Sequence, residues 1–200
     1  MESGDSMTEE TKKGLPIIPF ASQEDWEAWL EENHRTAEGL WLKIAKKNAG
    51  VDSVTFAEAL DGALCYGWID SQGGAYDENF YLQRFTPRRP RSKWSMKNRK
   101  RATELIEQGR MRDAGLKEVE LAREDGRWER AYEGQSTMTV QGDFQQKLDE
   151  NPAASDFFDT LDGTNRYAIL YRIHDAKKPE TRARRIEKFI AMLIDREKIY

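Results

Sequence analysis

The sequence predicts an α+β fold, in which a small antiparallel sheet with packed helices is followed by an all-α unit. In the first two-thirds of the chain, short apolar or aromatic runs of strand length alternate with segments of helical spacing, and beyond about residue 137 only helical spacing remains. Six Trp, seven Tyr and eight Phe in 200 residues supply a core despite a mean hydropathy of −0.86. We therefore predict a disordered tail at residues 1–15, an α+β unit at 16–130 and a helical unit at 137–197.

Capping and proline signals delimit the first elements. Residues 16–20 (PIIPF) predict a short edge strand, because prolines are tolerated at sheet edges. Ser22, with an acid three residues later, predicts a helix N-terminus. A second strand is predicted at residues 40–45, and Thr55 with Glu58 predicts the capping box of a second helix.

A hairpin is predicted next. Residues 68–72 alternate as a strand would, Gly73-Gly74 predicts the turn, and residues 80–85 are rich in the aromatic residues that favour a second strand. Asp70 and Arg84 would be cross-strand partners where the register allows it.

A basic segment follows the hairpin. Residues 86–91 contain two prolines, which predict a stiff extended loop. Ser92 or Ser95 would cap a helix that runs to about Gln108, with Gly109 as its C-terminal stop. Between Asn79 and Thr103 there are nine basic residues and no acid. Arginines in a loop that leads directly into a helix N-terminus are typical of anion-binding sites.

These features predict an anion-binding surface for phosphate or carboxylate. Its binding residues would be Arg84, Arg88, Arg89, Arg91, Ser92 and Ser95, over a floor of Trp68, Asp70, Gln72, Tyr81 and Trp94. The alternative is structural: basic runs are commonly solvated faces, some of these arginines would pair with acids elsewhere, and the aromatic residues would belong to the core.

The C-terminal pattern is helical throughout. Pro152 and Pro179 are each predicted at the first position of a helix. Arg182 and Arg185 share a helix face, and we expect them to clamp the helical unit onto acids of the α+β unit.

Composition narrows the function. A net charge of −4 disfavours a dedicated nucleic-acid or membrane-surface protein. The single cysteine, Cys65, precludes an internal disulfide and is expected to be a small core residue. Neither an export signal nor a membrane span is recognisable, so a cytoplasmic location is predicted. Phosphate-loop, nucleophile-elbow and zinc-ligand spacings are lacking, so no cofactor or metal site is predicted.

Two separated motifs carry a family resemblance. Residues 66–70 (YGWID) with 84–95 (RFTPRRPRSKWS), and residues 176–186 (AKKPETRARRI), resemble the YdeI/OmpD-associated family, also called bacteriocin-protection or OmdA-like proteins. The resemblance spans about residues 20–193. It implies a role in tolerance of bacteriocins or antimicrobial peptides but no catalytic residues. The first unit is similar to the YdhG-like domain, which implies a link to iron handling.

The sequence favours a binding protein over an enzyme, with a small anionic ligand or a protein as its partner and an undetermined oligomeric state. One alternative is an enzyme acting on a small phosphorylated or carboxylated metabolite, with Asp70 as acid–base and Cys65 or Tyr66 nearby. A metal-handling protein is another alternative, and nucleic-acid binding is weaker.

Overall fold

The computed structural model describes residues 10–200, which form five strands and eight helices. The strands are β1 (Thr11–Lys12), β2 (Leu15–Pro19), β3 (Leu40–Ala45), β4 (Trp68–Ala75) and β5 (Phe80–Pro87). The helices are α1 (Gln23–Asn33), α2 (Phe56–Cys65), α3 (Met96–Glu107), α4 (Asp113–Glu124), α5 (Gly142–Asp149), α6 (Pro152–Asp159), α7 (Gly163–His174) and α8 (Pro179–Ile194).

The chain divides into two compact units. The first holds the described residues up to Trp94 together with Asn98–Arg130, and the second holds Ser95–Lys97 with Ala131–Tyr200. The predicted α+β class is confirmed, since the sheet lies in the first unit and α5 to α8 lie in the second.

The sheet has the strand order β1-β2-β3-β5-β4 and is mixed rather than purely antiparallel. β2 and β3 are parallel, with Ile17 opposite Trp41, and α1 forms the crossover between them. The other neighbouring strands are antiparallel.

Ordered structure begins inside the predicted tail. Residues 1–9 lie outside the described residues, but β1 pairs with β2 within the stretch 10–15. The indole Nε1 of Trp41 donates to the carbonyl of Lys12 at 2.8 Å, and the Lys12 ammonium lies 4.6 Å from the same ring. The described part of the predicted tail is therefore an edge of the sheet.

The hairpin is longer at both ends than predicted. Gly73 and Gly74 lie within β4, opposite Gln83 and Leu82, and the chain reverses at residues 76–79. β5 includes Pro87, which was predicted in the loop. Pro87 pairs with Trp68 of β4, whereas pairing with β3 ends at Phe85, so the missing N–H costs no ladder bond on that second side.

Aromatic side chains fill the space between the sheet and α1. The Trp26 ring lies 5.5 Å from Trp29, 5.7 Å from Phe85 and 6.4 Å from Trp68, and Phe20 lies 5.2 Å from Trp26. The opposite face of the sheet carries a smaller cluster. It consists of Leu15, Trp41 and Leu82, with Ile17 and Tyr76 packed against it.

The predicted caps of α1 and α2 are present. Ser22 Oγ accepts from the amide of Asp25 at 3.1 Å, and Thr55 with Glu58 forms a complete capping box. Each satisfies amide groups that the first turn leaves without an intrahelical partner.

α4 packs against the end of α2 through Gly115. A Cβ there would overlap the carbonyl oxygen of Cys65 and lie 2.6 Å from that of Leu64. Cys65 is buried, as predicted. The amide of Arg112 donates to the Cys65 carbonyl at 3.1 Å, which fixes where α4 begins.

The second unit has its own apolar core from α5 to α8. Fully or nearly fully buried residues include Phe144, Phe158, Ile169, Ile173 and Leu193. Pro152 and Pro179 begin α6 and α8, as predicted.

The predicted clamp arginines bind within the second unit. Arg182 donates to both carboxylate oxygens of Asp143, to Gln141 and to the carbonyl of Ile173, while Arg185 donates to the carbonyl of Arg172. The last motif of the sequence therefore joins α8 to α5 and α7.

Asn165, in the first turn of α7, is buried and holds the last residues of the chain. Its Oδ1 accepts from the amides of Ile199 and Tyr200, both at 3.0 Å, and its Nδ2 donates to Asp162 at 3.0 Å and to the Tyr200 carbonyl at 3.4 Å. Arg172 lies near the Tyr200 ring and donates to its hydroxyl.

Candidate functional site

A cavity of about 440 Å³ opens in the first unit. It lies where the end of α1, the end of α2, the start of β4, the end of β5 and the first turns of α4 meet. It is lined by His34, Arg35, Tyr66, Gly67, Trp68, Pro87, Arg88, Asp113, Ala114, Lys117 and Glu118.

Gly67 allows these elements to converge. It follows α2 with a φ of +74°, a conformation that glycine adopts without strain. A Cβ at this position would lie 2.9 Å from the Ala114 carbonyl oxygen, so α4 approaches the chain too closely for any other residue. The Gly67 carbonyl also accepts from the amide of Arg88 at 3.0 Å, which joins the end of β5 to the start of β4.

Arg88 is the buried cation of the cavity, with 6% of its surface exposed. Its guanidinium carbon lies 3.5 Å from the centroid of the Trp94 ring, and Nη1 donates to the Lys93 carbonyl at 3.3 Å. Trp94 in turn contacts Trp128 edge to face at 4.9 Å. The basic segment thus folds back so that one of its arginines faces inward on an aromatic support.

The end of α1 forms one wall. The carbonyl of His34 accepts from the Trp68 indole at 3.1 Å, and His34 Nδ1 lies 2.8 Å from the Leu30 carbonyl oxygen. Arg35, which is exposed, lies next to it at the mouth of the cavity.

Tyr66 contributes a neutral hydroxyl. Its OH donates to Glu31 at 2.8 Å. Burial, and next the hydrogen bond to Glu31, raise the pKa of Tyr66 above its ordinary value, so the phenol keeps its proton.

The first turns of α4 form the opposite wall. Arg112 is the N-cap but makes no side-chain cap, and a helix N-terminus carries amide donors with no intrahelical partner. Lys117 is exposed and Glu118 is half-buried. Burial raises the pKa of Glu118, and the positive charges of Arg88, Arg127 and Lys117 oppose that rise.

The cavity therefore combines three cations, two acids and aromatic walls. Arg35, Arg88 and Lys117 outnumber Asp113 and Glu118. Concave sites of this size with a few convergent polar groups are typical of small-molecule binding.

The structure brings together part of the predicted anion site. Arg88 and Trp68 line the cavity, and Trp94 supports Arg88. Arg89 and Arg91 are exposed, and Arg91 has a φ of +66°.

The other predicted residues lie elsewhere. Arg84 alternates with Phe85 along β5, so it lies on the sheet face opposite the Trp26 cluster. Asp70 is opposite Phe85, not Arg84 as predicted, and does not line the cavity. Placements of the remaining four are as follows: Gln72 accepts from Lys13, Tyr81 is half-buried in β5, the Ser92 carbonyl accepts from Arg127, and Ser95 bridges to Tyr132.

Comparison with known protein families places both halves of the chain. Residues 18–118, half of the chain, match the family model described as a domain of unknown function, DUF8412. The chain belongs to the DUF8412 family. Residues 137–195 match the OmdA model, described as Bacteriocin-protection, YdeI or OmpD-Associated, which confirms the predicted resemblance. No curated protein and no solved structure matches the chain.

All eleven residues that line the cavity fall inside the DUF8412 match, and the OmdA match covers α5 to α8. The YdhG-like resemblance of the first unit stays a prediction. No helix within residues 10–200 has the length and apolarity that crossing a bilayer requires.

Sequence reasoning missed most of the cavity of the DUF8412 domain. His34 and Arg35 come from the end of α1, and Lys117 and Glu118 from the first turns of α4, so all four lie outside the basic segment in sequence. The available signal was Gly115, a glycine inside a helical pattern, which indicates a close approach of two backbones.

Two further features bear on the enzyme and metal-handling alternatives: the Cys65 thiol and the grouping of possible metal ligands. Burial raises the pKa of Cys65 to about 11, so its thiol stays protonated and weakly nucleophilic at neutral pH. Within the described part of the chain, no group of three or more His, Cys, Asp or Glu side chains is arranged to hold a metal ion.

Proposed function

We propose that the DUF8412 domain binds a small anionic metabolite, bearing a phosphate or a carboxylate, in the cavity between α1 and α4. The observation that carries this proposal is the buried Arg88, stacked on Trp94 at the cavity wall. Arg35 and Lys117 add two exposed cations at the same opening.

The geometry of Arg88 suits an anion. When the face of a guanidinium group stacks on an aromatic ring, its N–H donors point outward in the plane of the guanidinium. A carboxylate or phosphate at that edge accepts two hydrogen bonds. The low polarity around a buried cation strengthens such a contact relative to water. The first turn of α4 supports it, because helix N-termini favour negative charge.

The test is a thermal-shift panel of inorganic phosphate and of phosphorylated and carboxylated metabolites at one fixed, moderate salt concentration. A ligand at about 100 times its Kd should add about 2.7 kcal/mol, or roughly 5–10 °C for a chain of this size. In the double variant Arg35→Ala/Lys117→Ala, which spares the buried Arg88, we expect the affinity to fall by about tenfold or more.

A matched control removes the same charge from the exposed loop. The double variant Arg89→Ala/Arg91→Ala should bind as wild type does, because neither residue lines the cavity. A loss of binding in this variant alone would contradict the cavity and favour the loop surface that the sequence predicts. Absence of any shift across the panel in wild type would overturn anion binding itself.

For the cellular role, we propose a contribution to tolerance of bacteriocins or antimicrobial peptides. The description of the OmdA model supports it. Killing curves with such a peptide would compare a deletion strain with the same strain carrying the wild-type or the Arg35→Ala/Lys117→Ala chain. Equal survival of the deletion strain and its parent would contradict this role.

A further inference from the structure

A site that binds only an anion has no use for an acidic side chain, yet the carboxylate of Glu118 lines this cavity. It lines the cavity one turn below the start of α4 and is half-buried. Among residues 10–200, no group forms a hydrogen bond or an ion pair with it. A carboxylate withdrawn from water without a partner is unfavourable, which points to a donor that arrives from outside the chain.

Neighbouring cations do not fill that role. Arg88, Arg127 and Lys117 act on Glu118 through charge, but Glu118 forms no ion pair with them within residues 10–200. Arg127 is committed to Asp125, through its Nε, and to the Ser92 carbonyl at 2.7 Å. Arg88 is held on Trp94, and Lys117 is exposed at the rim.

The cations and the Glu118 carboxylate therefore line the same cavity without forming an ion pair with each other. Arg88 and Arg35 come from the ends of β5 and α1, whereas Glu118 comes from α4 on the facing wall. A ligand with only an anionic group would bring a second negative charge near Glu118. A ligand that also carries an ammonium group would satisfy both walls.

We propose, building on the anion-binding function above, that the ligand is a zwitterion whose phosphate or carboxylate binds at Arg88 and whose ammonium group binds Glu118. This assignment makes Glu118 the residue that selects for the amine. It also gives the half-buried carboxylate the hydrogen-bond donors that the protein does not supply.

Calorimetric titration with matched pairs of compounds tests the proposal. Phosphoethanolamine is compared with ethyl phosphate, and β-alanine with propionate, so that the members of each pair share their anion and differ in the amine. In wild type, at least one amine-bearing member should bind about tenfold more tightly than its partner.

Variants then assign the preference. In Glu118→Gln the two members of that pair should bind within about twofold of each other, whereas Glu120→Gln, an exposed change on the same helix, should keep the tenfold preference. If the amine-free anions bind wild type as tightly as their partners, the zwitterion is wrong and anion binding stands. If neither member of either pair binds while other anions of the thermal-shift panel do, the zwitterion is wrong and the anion site stands; if the whole panel is silent, both fail.

Discussion

At the scale of single residues, the buried side chain of Asn165 forms four hydrogen bonds in the second unit. Its amide group joins the start of α7 to the last two residues of the chain. Replacing it by Ala removes four contacts and leaves the Ile199 and Tyr200 amides to water. We expect Asn165→Ala to destabilise the unit by about 1–3 kcal/mol, measured by urea unfolding followed by circular dichroism.

Its exposed neighbour supplies the comparison. Thr164→Ala alters the same turn without touching the C-terminal residues, and should change stability by less than about 0.5 kcal/mol. Equal losses in both variants would mean that helix propensity, not the Asn165 contacts, sets the cost.

Glu118 should lower the stability of the unliganded protein at neutral pH. Burial raises its pKa in the folded state, so protonated Glu118 favours folding below its unfolded pKa, and that contribution is lost as pH rises through the folded pKa. Glu118→Gln should therefore raise Tm at pH 7 by the order of 1 °C, since the group is only half-buried. The gain should vanish as the pH is lowered to about 4. A Tm that falls at pH 7 would show that the charges of Arg88 and Arg127 outweigh the burial.

At the scale of elements, the contact between α4 and the end of α2 depends on one missing side chain. Gly115→Ala would force a Cβ into the Cys65 and Leu64 carbonyls, and should cost about 1–3 kcal/mol or more in the first unit. Gly142→Ala is the matched change at the start of α5, where a Cβ meets no atom within 4 Å, and should stabilise by about 0.4–1 kcal/mol. Thermal unfolding of the two variants measures both effects. If Ala at residue 115 proves as stable as Gly, this packing of α4 on α2 is wrong.

Elements marked by local chemistry were predictable from sequence. The Thr55–Glu58 capping box and the two helix-initiating prolines depend only on residues within one turn in the sequence. They are therefore found where predicted. The hairpin was not, because the length of β4 depends on pairing: Gly73 and Gly74 are held in the strand by Gln83 and Leu82. Turn propensity alone would have placed the reversal there.

At the scale of the whole molecule, the candidate site was predictable only in part. Arg88 and Trp94 lie in the basic segment and were identified, since charge and aromatic residues coincide in sequence. Whether an arginine of that segment faces inward or outward depends on long-range packing, and Arg84, Arg89 and Arg91 do not reach the cavity. Arg101 illustrates the same point, because it is paired with Asp61 of α2 at 2.5 Å.

The tryptophans are distributed in a way that separates the two units spectroscopically. All six lie in the first unit, where five are buried and the sixth, Trp29, is half-buried and stacked on Trp26. The second unit has tyrosines and phenylalanines but no tryptophan. Tryptophan emission during denaturation therefore reports on the first unit alone, while the far-ultraviolet dichroism includes α5 to α8. Coincident midpoints from the two signals would make the chain one cooperative unit, and a second dichroic transition without a change in emission would identify the OmdA helices as an independent one.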